Sequence, residues 1–129
     1  MKKKILIVIA DYYEEIAKGL LNSALKSIPK KSLIKIIRVP GVFEIPVTIS
    51  KNIKRYDAFL ALGCVIKGET PHFDFISSAT TNAIMDLSVN YKKPIGNGVI
   101  TCLNQRQAKV RKEKGKEAVK AIFSILSQK

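Results

Sequence analysis

Apolar residues in this chain gather in short runs, separated by stretches in which they recur at helical spacing. Lys4 to Ile9 is continuous and of strand length, the pattern of a strand buried on both faces of a parallel sheet. From Tyr12 to Ile28 the apolar positions are Ile16, Leu20, Leu21, Ala24, Leu25 and Ile28, which predicts a helix. Glu14 and Glu15 favour its first turn and Pro29 ends it. Ser32 to Val39 predicts a second strand, closed by a Pro40-Gly41 turn, and Glu44 to Ile53 a short helix with Pro46 near its start. Asp57 to Gly63 predicts a third strand. Phe73 to Tyr91 is the longest helical pattern, with Ile76, Ala79, Ala83, Ile84 and Leu87 as its apolar stripe. Pro94 to Thr101 predicts a fourth strand, and Asn104 to Lys112 and Lys116 to Leu126 two last helices broken near Gly115.

Strands that alternate with helices in this way imply a four-stranded, mostly parallel sheet with helices on both faces and right-handed crossovers, an α/β/α sandwich. The length of 129 residues suits one domain, 1–129, with no linker or internal repeat. Ligands of such sheets bind at the carboxyl ends of the strands. The loops after Ile9, Val39, Gly63 and Thr101 are therefore the places where chemistry is expected.

Composition narrows this picture only in part. Hydrophobic residues make up 47% of the chain, a globular proportion. The formal charge is +13, mostly from lysine. Two readings stand: a nucleic-acid or membrane surface, or a solvated exterior that steers anionic substrates. The lysines are scattered and are not interleaved with aromatics as in a stacking platform, which favours the second. The start, MKKKILIVIADYYEE, has an apolar run too short for a secretory signal, and acidic residues follow it at once. No later stretch is long enough to cross a bilayer, so a soluble, cytoplasmic protein is expected. Cys64 and Cys102 form no CxxC pair, and with one histidine there is no zinc pattern; buried free thiols are expected.

Five segments carry candidate chemistry. In GCVIKGETPHFD, residues 63–74, Thr70 reads as a helix N-cap and Pro71 as the first helical residue. The free N–H groups of such a start bind anions, and Lys67 adds charge. His72, the only histidine, falls beside that site and suits a general acid/base; Asp74 either orients it or complements the helix dipole. In RVPGVFEIP, residues 38–46, Phe43 and Glu44 offer an aromatic beside a carboxylate, or simply a core phenylalanine and a helix-starting glutamate. Tyr12 and Tyr13 offer a stacking ring, or a pair packed on the domain. Arg111 offers a guanidinium for phosphate, or one solvated cation in a basic run. Gly96 and Gly98 inside the fourth strand suggest close approach of a ligand or another chain. No GxGxxG, P-loop, GxSxG or HExxH pattern is present, which removes support for dinucleotide, P-loop, serine-hydrolase and zincin chemistry.

Taken together, PGVFEIP at 40–46, ALGCVIKGETPHFDF at 61–75 and PIGNGVIT at 94–101 resemble the lumazine synthases, in order and at family spacing over nearly the whole chain. The resemblance implies a flavodoxin-like fold. It also implies condensation of 5-amino-6-ribitylaminouracil with 3,4-dihydroxy-2-butanone 4-phosphate in riboflavin biosynthesis, with no metal or redox cofactor. By position it gives Tyr12 a stacking role on the pyrimidine and assigns the ribityl chain to Val42, Phe43 and Glu44. Val65, Ile66 and Lys67 become backbone contacts to the ring, Glu69 and Thr70 the phosphate loop, and His72 the proton-transfer residue. Arg111 becomes a phosphate ligand supplied to a neighbouring subunit, with Lys114 near the same phosphate and Glu117 paired to these cations. Asn97 stands where many members carry an aromatic, which leaves ring stacking to Tyr12. The short Arg111–Gly115 segment favours a homopentamer, or a pair of them, over a large shell. The alternatives are a binding module of the same fold that holds flavin or lumazine without turnover, and a basic nucleic-acid-binding domain.

Overall fold

A computed structural model describes residues 2–128, so the two end residues of the expected 1–129 unit lie outside the described residues. The two longest apolar runs become the inner strands of the sheet. Lys4–Ala10 (β1) is buried after its first residue, and Ala58–Ile66 (β3) is buried up to its last. A strand enclosed on both faces satisfies its backbone only through its neighbours. Leu33–Val39 (β2) pairs with β1 on one side and Ile95–Cys102 (β4) with β3 on the other, giving the order β2-β1-β3-β4, all parallel.

The alternation of side chains along β1 divides the interior in two. Ile5, Ile7 and Ile9 pack with the helices Glu14–Ser27 (α1) and Lys114–Leu126 (α5) and with Ala108 of Gln105–Val110 (α4). Leu6, Val8 and Ala10 pack on the other face with a 3-10 turn at Val42–Glu44 and the helices Ile45–Asn52 (α2) and His72–Tyr91 (α3). This is the three-layer α/β/α sandwich expected from the alternation. Cys64 and Cys102 are free and buried, also as expected.

Several boundaries and packings differ from the sequence expectation. β3 does not end at Gly63: Cys64, Val65 and Ile66 continue it, paired with Ile100, Thr101 and Cys102. α1 begins at Glu14, because its first helical carbonyl is that of Tyr13, bonded to Ala17 N–H at 2.9 Å. The helix stripes also need correction, since Leu25 is 36% exposed and Ala79 lies on the solvent side of α3. The break between the last helices falls at Arg111–Glu113, and Gly115 sits inside the first turn of α5, against the Leu20 carbonyl.

Within the subunit, Gly96 and Gly98 are approached closely by α5 and by β3. They form the surface on which α5 and the β3 side chains lie. A methyl group at Gly96 would stand 2.5 Å from the Ala118 carbonyl oxygen and 2.8 Å from Leu60 Cδ2. Backbone cannot move aside as a flexible side chain can, so Gly96→Ala is expected to lower the unfolding free energy by about 2 kcal/mol. Gly68, with open space around it, is the control: Gly68→Ala is expected to change stability by no more than about 0.5 kcal/mol. Chemical denaturation of both variants checks this, and equal effects would contradict the packing account.

Candidate active site

The carboxyl ends of β1, β2 and β3 open into a cleft of about 670 Å³. Its floor depends on Gly63, where a side chain would collide with Val42 Cγ1 at 2.7 Å; without one, the 3-10 turn settles directly on β3. Val42 is buried there, while Phe43 and Glu44 project to the opening. Phe43 is 60% exposed, which rules out a core phenylalanine. Tyr12 is 75% exposed, which rules out packing on the domain. Because α1 starts two residues later than expected, Tyr12 and Tyr13 belong to the loop after β1 and both line the cleft. Their rings meet edge to face at 4.9 Å.

The opposite wall is the start of α3. His72 and Ile76 line the cleft there, with Cys64, Val65 and Ile66 of β3 between the two walls. The residue that caps this helix by backbone geometry is Pro71 rather than Thr70, because the Pro71 carbonyl accepts the N–H groups of both Asp74 and Phe75. Thr70 still contributes: its hydroxyl accepts the His72 N–H at 3.4 Å. Asp74 makes no hydrogen bond to His72 among the described residues and lies in the first turn of α3, which selects the helix-dipole reading. Ahead of the helix, the N–H groups of Gly68, Glu69 and Thr70 have no protein acceptor among the described residues. Exposed, unpaired N–H groups running into a helix N-terminus can accept a phosphate-sized anion.

The cleft thus gathers Tyr12, Val42, Phe43, Glu44, Val65, Ile66 and His72. Lys67, Glu69 and Thr70 stand on the exposed loop at its rim and do not line it. The remaining three candidates lie elsewhere. Asn97, Arg111 and Lys114 line a separate hollow beside β4, and the two cavities share no lining residue. Asn97 Oδ1 accepts the N–H of Val99 at 3.0 Å. Arg111 Nη1 donates to the Thr101 carbonyl at 3.1 Å. Lys114 and Glu117 form the expected ion pair at 3.9 Å, an exposed pair that adds little stability. Among the described residues no group of three or more His, Cys, Asp or Glu is placed to hold a metal ion.

Sequence reasoning left Cys64 and Gly41 out of the site and treated Tyr13 only as part of a pair; all three line the cleft. Cys64 was recoverable from the strand period, since it shares a strand face with Leu62 and Ile66, but only once the strand is known to extend past Gly63. Burial, then the neighbouring Cys102 and a hydrogen bond to it, push the Cys64 thiol up to about 12. Burial, then Tyr12 and Cys64, raise the Tyr13 phenol. Both groups present protonated donors to the cleft at neutral pH.

The sequence is similar to known proteins over nearly its whole length. The family model described as 6,7-dimethyl-8-ribityllumazine synthase matches residues 2–129. A protein of that name from Arthrobacter sp. (strain FB24) is 40% identical over 94% of this chain and 81% of its own length. One from Bartonella tribocorum is 40% identical over 100% of this chain and 93% of its own, and one from Agrobacterium fabrum 38% identical over 99% and 95%.

The raised thiol makes stability depend on alkaline pH. In the unfolded chain Cys64 ionises near its ordinary value of 9.0, whereas in the fold it holds its proton to about 12. The unfolded state therefore binds fewer protons in that window, and stability falls as pH rises. The contribution is complete below pH 9.0 and lost towards 12, with Tyr13 adding in the same direction above its ordinary 10.0. Denaturation measured across this range is expected to show the decline, and Cys64→Ala to make it shallower. An unchanged slope would contradict the assignment to Cys64.

Proposed function

The chain belongs to the 6,7-dimethyl-8-ribityllumazine synthase family, and from that premise we propose that it condenses 5-amino-6-(D-ribitylamino)uracil with 3,4-dihydroxy-2-butanone 4-phosphate. Phosphate and water are lost, and the step is penultimate in riboflavin biosynthesis. The observation that carries this reading is the cleft itself. Tyr12, Phe43 and Glu44 face His72 across it, with an unpaired amide loop at the rim.

In this reading Tyr12 stacks on the pyrimidine, and the backbone of Val65, Ile66 and Lys67 contacts the ring. The turn Val42–Glu44 holds the ribityl chain, where a carboxylate suits hydroxyl donors. The phosphate lies on the Gly68–Thr70 amides, close to the positive end of α3. Imine formation, phosphate elimination and ring closure all move protons, and His72, exposed at the cleft wall, serves as the acid/base group. Holding both reactants in one cleft supplies much of the acceleration. Fixed donors at the leaving phosphate stabilise the charge it develops.

The hollow of Asn97, Arg111 and Lys114 serves the cleft of a neighbouring subunit. Two separate half-sites on one chain support a head-to-tail ring, since a two-fold dimer would pair each patch with itself. Exposed apolar side chains support burial between copies: Phe75, Met85 and Val89 on α3, and Leu103 and Val110 beside Arg111. A homopentamer of single-domain subunits is the assembly proposed. No helix among the described residues is long and apolar enough to cross a membrane, which supports a cytoplasmic site of action for an enzyme of small soluble substrates.

Purified protein mixed with both substrates is expected to produce lumazine absorbance and phosphate together; no product above the uncatalysed background would sink the proposal. His72→Ala is expected to lower kcat by about a hundredfold or more. Arg111→Ala is expected to raise the KM for the butanone phosphate by about ten- to a hundredfold and leave that for the pyrimidine nearly unmoved. Equal loss for both substrates would contradict the role given to Arg111.

A further inference from the structure

Cys102 ends β4, is 2% exposed, and lies outside the lining of both cavities. Two contacts meet at this residue. Its carbonyl accepts the N–H of Lys67, the first residue after β3, at 2.9 Å. Its sulfur stands 4.0 Å from Arg111 Nη1, which also donates to the Thr101 carbonyl at 3.1 Å.

A guanidinium has five N–H groups in a planar fork, two of them on each terminal nitrogen. Both acceptors at the end of β4 act on Nη1, so one corner of the fork is occupied by the strand. Nε and Nη2 have no protein partner among the described residues. Those two nitrogens form the edge that binds an oxyanion through parallel bonds.

We propose that Cys102 is a positioning residue for Arg111: with the Thr101 carbonyl it fixes the guanidinium by one corner, so that the Nε–Nη2 edge is presented to the phosphate. The role rests on the reading of Arg111 as a phosphate ligand. It adds that the orientation of this arginine is set by the chain that carries it, before any neighbour or substrate arrives. A guanidinium held in advance loses less freedom when it binds. The thiol is an apt acceptor because it fills a buried position while its sulfur stays soft and weakly polar.

The test is a set of variants of the full-length protein in its native assembly, with KM determined separately for each substrate and inorganic phosphate used as a competitive probe. Cys102→Ala removes the acceptor, and Cys102→Val removes it while filling the space. Both are expected to raise the KM for the butanone phosphate, and the inhibition constant of inorganic phosphate, by roughly three- to tenfold. The KM for the pyrimidine is expected to stay where it was. Cys102→Ser restores an acceptor and is expected to recover most of the loss, which repair of packing alone would not do. Phosphate affinity unchanged in both acceptor-free variants, or a serine variant no better than alanine, overturns the inference. Arg111→Ala separates the two readings. If it leaves phosphate affinity intact, the assignment of Arg111 itself fails; if it weakens phosphate while the Cys102 variants do not, only the positioning role fails. Should alanine and valine both prevent folding, the serine variant decides alone: retained phosphate affinity is the expected result, and phosphate affinity lost with pyrimidine binding intact overturns the inference.

Discussion

From Ala58 to Val65 β3 is buried on both faces, and no water is at hand to satisfy its amides and carbonyls. Each must pair with β1 or β4. Parallel pairing cannot be closed by tight hairpins, so every connection becomes a crossover carrying a helix. Those helices cover both faces, and the carboxyl ends of the strands come together along one edge of the sheet. The cleft, the amide loop and the anchoring of Arg111 all lie on that edge. Their relative positions are fixed by the registers of Ile9 with Leu62 and of Ile66 with Cys102.

Glycine at two points of this frame makes room for a close neighbour. Gly63 lets the Val42–Glu44 turn descend onto β3 and bring Phe43 and Glu44 to the opening; Gly96 lets α5 lie close on β4. One close approach shapes the cleft and the other stabilises the layer behind it. The two side-chain populations of β3 divide similarly. One faces α2 and α3, which carry exposed apolar groups and of which α3 lines the cleft; the other faces α1 and α5.

Charge works on the site at two ranges. The net +13 raises the local concentration of phosphorylated reactants in a sequence-independent and salt-sensitive way. In the proposed site, recognition rests on a few oriented donors: the Gly68–Thr70 amides, the start of α3 and the free edge of Arg111. The lysines are spread over the surface, and the single ion pair among the described residues, Lys114–Glu117, leaves most of them solvated.

The sequence by itself determined the alternating order of strands and helices, the burial of β1 and β3 and the identity of the loops that carry chemistry. Hydrophobic period is a local property, and strand and helix periods differ enough to be told apart without any partner. The FE and HFD segments were also legible, because a lone histidine at a helix start and an aromatic beside a carboxylate are unusual locally. Element ends were not legible where hydrogen bonds from distant strands decide them: β3 extends to Ile66 only because β4 offers Ile100 to Cys102 as partners, which moved Cys64 into the cleft wall. Exposure likewise required the fold. Whether Phe43 and Tyr12 are core or cleft residues depends on what lies opposite them, and a one-dimensional pattern holds no such neighbour. Only the tertiary structure separated His72 from Arg111 into two hollows and joined Arg111 to the end of β4, because those relations run between segments far apart in the chain.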